Sequence, residues 1–286
     1  MTRPSNVIPM LVVGLILIAL YFPIMLLANY PAAARALSRG AVLECKTALE
    51  CSFNMRSPII PAPAQLIKGF SSLYFPPTSE TSVPYNAFFT GLETLSGLVL
   101  ASVVGLGLAV LLVASRAFER ALLPWLVASQ TVPIIAIAPM LAVLLGQYGV
   151  EGWIPKAIIA AYIAFFPIAI GVSKGLRSPD PLQVDLMKTY NAGSLQTFAK
   201  LRFPSSIPYL FTAFKVSVTA ALIGAIISES ATISGAGLGK MLSENSRASD
   251  AVGLWLVMIG SAILGILLVS IVGWVERVVT PWQRNR

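Results

Sequence analysis

The sequence predicts an all-α membrane protein with six transmembrane helices, a polar excursion between spans four and five, and both termini in the cytoplasm. Three observations carry that prediction. First, the 286 residues are 56% hydrophobic and 11% charged, with a mean hydropathy of +0.80, whereas a soluble domain carries roughly a quarter charged residues. Second, six stretches approach or exceed the about 20 apolar residues a helix needs to cross a bilayer core: 7–28, 90–114, 122–145, 155–172, 208–228 and 251–274. Third, the basic residues are unevenly placed. Arg3 precedes span one, and Arg116 and Arg120 join spans two and three against Glu119. Lys174, Arg177, Lys188, Lys200 and Arg202 face Asp180 and Asp185 between spans four and five, and Arg277, Arg284 and Arg286 face Glu276 after span six. The 3–4 connection has only Glu151; the 5–6 connection has Lys240 and Arg247 against Glu229, Glu244 and Asp250. The positive-inside bias therefore places both termini and the 4–5 excursion in the cytoplasm. It also accounts for the net charge of +8, so no nucleic-acid partner is implied.

Taken in order, residues 1–28 form the first span, 29–87 an extracytoplasmic loop and 88–286 a core of spans two to six. "PAAARA" at 31–36 resembles a signal-peptidase site. The apolar run before it is about 22 residues, beyond a signal h-region of about 7–15, so span one reads as a membrane helix. In the loop, helical propensity around 33–51 predicts a short helix, and the proline-rich 58–84 an extended return. Loops of this length are uncommon unless functional or mobile. Cys45 and Cys51 sit six positions apart. On a regular helix their separation would be about 9 Å, too far for a disulfide. A bridge in the oxidising exterior therefore requires a turn between them; the alternative is two unpaired thiols. No metal site is implied, since two ligands are too few and histidine is absent. Gly91, Gly97, Gly105 and Gly107 give span two a small-residue face suited to close helix packing. Pro133, Pro139 and Pro167 are expected to break helices at depth, by a gating kink or in simple packing. Tyr162, Phe165 and Phe166 could stack a substrate or simply pack.

An ion-driven carrier places ionisable groups near the midplane. Here Glu93 lies near the outer end of span two, Lys156 opens span four, Lys215 can snorkel to the cytoplasmic surface, and Glu229 closes span five. None reads as a paired midplane carboxylate, which disfavours the alternative of an ion-coupled secondary transporter. No phosphate-binding GxxxxGK[ST] loop is present either. No catalytic set is read in the chain, so if the protein moves a solute uphill, another subunit must hydrolyse the nucleotide.

The excursion "DLMKTYNAGSLQTFAKLRFPSSIP" (185–208) reads as helix–break–helix. Asp180-Pro181 supplies a cap and a first-turn proline. Val184, Met187, Asn191, Leu195 and Phe198 form a mainly apolar stripe, widened by Leu186, Tyr190 and Leu201. Asn191 interrupts it and tolerates a left-handed backbone. Physics alone leaves two readings open: a helix lying on lipid, or a helix pair inserted into a groove on a partner.

The segment resembles the coupling motif of permease subunits of bacterial ATP-binding-cassette importers, Glu-Ala-Ala, three residues, Gly, then a hydrophobic-x-Leu-Pro ending. Asp185 stands at the Glu position, Leu186 and Met187 at the Ala positions and Asn191 at the Gly position; Phe198, Leu201, Phe203 and Pro204 fit the ending. "QTVPIIAIAPMLAVLLGQYG" (130–149), "IGAIISESATISGAGLGKML" (223–242) and "GILLVSIVGWVERVVTPW" (265–282) are similar to the nitrate/sulfonate/taurine branch. Within it, "LMKTYNAG…RFPSSIPYLFTAFK" is nearest to permeases for pyrimidine precursors and riboflavin. The resemblance implies an inner-membrane, multi-pass permease that performs no chemistry itself. Asp185, Leu186, Met187, Lys188, Tyr190, Asn191, Gly193, Leu195, Phe198, Leu201 and Pro204 would couple it to a cytoplasmic ATPase dimer. Glu229, Gly237, Leu238 and Gly239 would form an outer gate. A second permease copy and an extracytoplasmic solute-binding protein complete the implied assembly. The substrate would be a pyrimidine- or riboflavin-like vitamin precursor, or a nitrate/sulfonate-type anion. The cysteine-bearing insert at 29–57 exceeds the family's usual connection, so its role does not carry over.

Overall fold

The computed structural model describes residues 7–38, 45–55, 57–232 and 235–281. Arg3, Arg284 and Arg286, read above from the sequence, lie outside them. Every regular element among the described residues is helical: α1 (Val7–Ser38), α2 (Ala48–Asn54), α3 (Pro63–Tyr74), α4 (Val83–Ala114), α5 (Arg116–Thr131), α6 (Ile134–Gln147), α7 (Trp153–Leu176), α8 (Pro181–Thr189), α9 (Ser194–Thr197), a π-helical turn (Phe198–Arg202), α10 (Phe203–Ala231), α11 (Leu238–Arg247) and α12 (Ala251–Val279). Helices α1, α4, α7, α10 and α12 are long and apolar enough to cross a membrane, and α5 with α6 makes a sixth span if the two count as one.

That third span is the main departure from the expected helices. Helices α5 and α6 meet at 92°, and at about 24 and 21 Å neither alone crosses a core of about 30 Å. Pro133, the residue before α6, marks the break. Pro139 and Pro167, expected to break helices, instead lie inside α6 and α7. The neighbouring helices tolerate the lost backbone donor at those two positions.

The chain divides into two compact units, residues 1–83 with 242–259 and residues 84–241 with 260–286. In the first, α1 runs to Ser38, well past the expected end at residue 28. The alanine-rich 32–36 favours helix, and the Arg35 side chain donates to the Pro31 carbonyl, 3.0 Å away. "PAAARA" is thus part of α1. The expected helix over 33–51 is in fact the end of α1 and the start of α2, and the expected extended return contains α3. Pro63 sits in the first turn of α3, where a missing N–H costs nothing. Gln65 accepts from Ala62 N–H at 2.9 Å and donates to Met55 O at 2.8 Å.

Asn29 ties this unit together. It is fully buried in α1; its Oδ1 accepts from Ile59 and Ile60 N–H at 2.9 and 3.2 Å. Its Nδ2 donates to Ser52 O and Ile60 O at 3.1 and 2.8 Å, so the amide is saturated. Cys45 precedes the Thr47 cap of α2, Cys51 lies within α2, and their sulfurs are bonded with Cα atoms 5.2 Å apart. The bridge packs on Ala33.

In the second unit the core is built from small residues. Ala101 and Ala109 of α4, Ala160 and Ala164 of α7, and Ala221 and Ala225 of α10 surround Ile168, Val172 and Leu176. A Cβ on Gly97 would lie 2.5 Å from Ala160 Cβ, and one on Gly105 2.8 Å from Ile168 Cβ. Backbones approach this closely because packing, not water exclusion, holds helices together in lipid. Gly107, grouped with them from sequence, has no atom within 4 Å of such a Cβ and takes no part. Tyr162 donates to Ser129 O, and Phe165 packs against the alanine core.

Candidate functional sites at the two ends of one helix

Helix α10 carries a sequence-predicted site at each end. At its start, Arg177 fixes the point where the chain leaves α7. One guanidinium nitrogen pairs with Glu119 at 2.6 Å and the other donates to Leu112 O at 2.7 Å, capping α4. Asp180 then caps α8: it accepts from Leu182 N–H at 2.8 Å, and its own N–H donates to Gln183 Oε1 at 3.2 Å. Two residues past the end of α8 comes Asn191, whose φ of +53° is left-handed, a region asparagine reaches more cheaply than most residues. Gly193 precedes the short α9, and the π turn leads into α10, with Pro204 in its first turn.

The apolar stripe expected here divides into two faces. Val184, Met187, Phe198 and Leu201 are half-buried; Phe198 touches the alanine core. Leu182, Leu186, Tyr190 and Leu195 point outward, 77, 56, 76 and 81% exposed. An open cleft of about 430 Å³ lies beneath the segment, lined by Val110, Val113, Val184, Phe198 and Arg202 among others. Lys188 and Asp185 pair at 2.8 Å on the exposed surface, a contact worth little to stability.

At the other end of α10, Glu229 is completely buried. Its Oε1 accepts from Thr90 Oγ1 at 2.7 Å and its Oε2 from Gly239 N–H at 2.7 Å. Thr90 Oγ1 in turn accepts from Leu238 N–H at 2.9 Å, and Asn86 Oδ1 accepts from Gly237 N–H at 2.7 Å. Three successive backbone donors are thus held by three buried side chains. Gly235 and Gly237 adopt φ of +92° and +152°, and a Cβ on Gly237 would overlap the Glu229 carboxylate. The turn requires glycine there on both counts.

Lys156, in the first turn of α7, completes the cluster. Its Nζ lies 3.0 Å from Glu93 Oε1 and 3.3 Å from Ala236 O, with Lys156 and Glu93 only 3 and 2% exposed. The Glu93 and Glu229 carboxyl groups are neighbours, and Glu93 Oε2 receives no donor among the described residues. Glu229, Gly237, Leu238 and Gly239 therefore come together, but the sequence reading missed Asn86, Thr90, Glu93 and Lys156. It took Glu93 and Lys156 as separate boundary charges; they are a buried pair. Lys215, expected to snorkel, pairs with Glu276 in the last turn of α12. The available signal was a charge within an apolar run, which demands a partner.

Residues 97–285 match the model of a family described as binding-protein-dependent transport system inner membrane components. The chain belongs to this family. The permease is 31% identical over 233 residues to the formylaminopyrimidine transport permease protein ThiX of Halalkalibacterium halodurans, spanning 80% of this chain and 87% of that one. It is 24% identical over 232 residues to the nitrate import permease protein NrtB of a Synechocystis species, spanning 79% and 82%. Its fold matches a chain of an inward-facing MetNI methionine ABC transporter with a TM-score of 0.61 and 17% identity, covering 68% of this chain and 95% of that one. The permease is accordingly a multi-pass inner-membrane protein of an importer for a small solute.

Proposed function

We propose that the permease forms the translocation path of an ATP-driven importer and is coupled to its ATPase through α8, the Asn191 break and α9. The observation that carries this is the outward apolar row Leu182, Leu186, Tyr190 and Leu195, projecting from a segment anchored on the bundle by Arg177. A short helix pair presenting such a row suits insertion into a hydrophobic groove. ATP and Mg²⁺ are held by that partner ATPase dimer, and the coupling segment lies in the cytoplasm. A second copy of the permease completes the path. An extracytoplasmic solute-binding protein delivers the substrate on the side of the Glu229 turn, which serves as the outer gate.

Alternating access follows if ATP binding favours one arrangement of the coupling segments and the loaded binding protein favours the matching outer arrangement. The substrate is a pyrimidine-type precursor. What supports this class is the higher identity to a formylaminopyrimidine permease than to a nitrate permease. The decisive experiment is Leu195→Glu. The variant is expected to insert and fold normally but to lose co-purification with the ATPase at least tenfold. Undiminished ATPase retention would sink the docking role. Mass spectrometry of the ligand on the co-purified binding protein tests the substrate independently: a nitrate- or sulfonate-type anion would overturn that assignment and leave the coupling intact.

A further inference from the structure

Helix α3 divides its circumference three ways. Leu66, Gly69 and Leu73 fall on one face and are half-buried. A Cβ on Gly69 would lie 2.9 Å from Leu256 Cδ1 and 3.0 Å from Val252 Cγ1, and Tyr74 donates to Leu256 O at 3.1 Å. This face therefore packs on the first turns of α12. A second face carries Lys68, Ser71 and Ser72, all exposed. The third face is apolar and uncovered: Ile67 is 74% and Phe70 44% exposed, and Phe75, which ends the helix, 63%. Phe70 stacks on Tyr74 with ring centroids 4.2 Å apart and meets Phe75 edge-on at 6.3 Å, making one aromatic ledge.

The depth of that ledge follows from α12. Its 29 residues make a rod of about 43 Å; centred on a hydrocarbon core of about 30 Å, it extends about 6 Å beyond the core at each end. Val252 and Leu256 lie about 1.5 and 7.5 Å from its start, so α3 crosses α12 at the boundary between headgroups and acyl chains. Deeper on α12, Ile259, which shares the helix face of Val252 and Leu256, is also exposed and apolar, so apolar surface continues below α3. Amphipathic helices with aromatic residues lie at this level.

We propose that α3 is an interfacial helix, its Ile67–Phe70–Phe75 face seated in the lipid headgroup–acyl boundary beside the start of α12. The insert thus uses lipid, rather than another protein, to cover its apolar side. The test uses the full-length permease in lipid nanodiscs containing a phospholipid with a photoactivatable diazirine near the glycerol backbone, with adducts mapped by mass spectrometry. Adducts at Ile67, Phe70 and Phe75 are expected at least fivefold above those at Lys68, Ser71 and Ser72. Equal labelling of the two faces overturns the proposal. So does absence of lipid adducts, whether the face is then reached by a water-soluble carbene reagent or protected by a bound protein. As a second measurement, tryptophan at Phe70→Trp should be quenched by shallow-brominated lipid at least twofold more than at Ser72→Trp; equal quenching again overturns it.

Discussion

The two ends of α10 differ in how they satisfy their surroundings. At the Glu229 end, every backbone donor from Gly237 to Gly239 meets a buried side chain. At the Asn191 end, the polar groups are satisfied locally within α8 and α9, and the apolar side chains lie uncovered. One end is closed by its own chain; the other leaves an apolar row exposed, the face proposed above to meet the ATPase. On the proposed function, substitutions at the first end should act on stability and at the second on association.

The largest effect should come from the closed end. Lys156→Met leaves Glu93 buried without its cation, a loss of about 3–5 kcal/mol, read as early aggregation in fluorescence-detected size exclusion after heating. Adding Glu93→Leu should recover part of that loss, because it removes the stranded carboxyl while Glu229 keeps its bonds from Thr90 and Gly239. If the double variant is no better than the single one, the turn depends on Lys156 through Ala236 O and not through the ion pair. Thr90→Val keeps the shape but removes the donor to Glu229 and the acceptor for Leu238 N–H. Stranding buried polar groups costs about 1–3 kcal/mol, so an intermediate shift is expected on the same heating series. A Thr90→Val variant as robust as the parent would mean that the turn is not closed by these bonds.

How much of this was legible in sequence follows from the range of each interaction. The spans were readable because each apolar residue reports its own preference for lipid, and the chemistry needs no partner. The helix–break–helix form of the excursion was readable because caps, a left-handed asparagine and a proline act over four residues or fewer. The Glu93–Lys156 pair was not, since its members belong to different helices and nothing local links them. Asn29 was missed for the same reason: it looks like a polar blemish at the end of span one, yet it holds the backbone of residues 52, 59 and 60. Helix α3 was hidden in a proline-rich run read as an extended return, where Pro63 in fact starts a helix. The 92° bend at Pro133 shows the converse error, because Pro139 and Pro167 carry the same letter and break nothing. Only the neighbours of a proline decide which it does.

The smallest stability effect, and the sharpest separation of the two ends, belongs to Asn191. At φ +53°, glycine relieves strain in the folded chain while loosening the unfolded one, so Asn191→Gly should stay within about 0.5 kcal/mol of the parent. Asn191→Val forces a β-branched residue into the left-handed region, at a local cost of about 1–2 kcal/mol. That cost should appear as faster hydrogen exchange at Asn191 and Ala192, whose N–H groups donate to Lys188 O and Met187 O at 2.8 and 3.0 Å. It should also weaken ATPase retention while leaving the heating profile of the bundle unchanged. If Asn191→Val instead lowers that profile as far as Lys156→Met does, the segment is part of the folded core rather than a face awaiting a partner. The distinction between the ends of α10 would then fail. An unchanged profile with faster exchange confined to residues 186–197 would locate the uncovered end in the only property that a closed end cannot share, local opening without global loss.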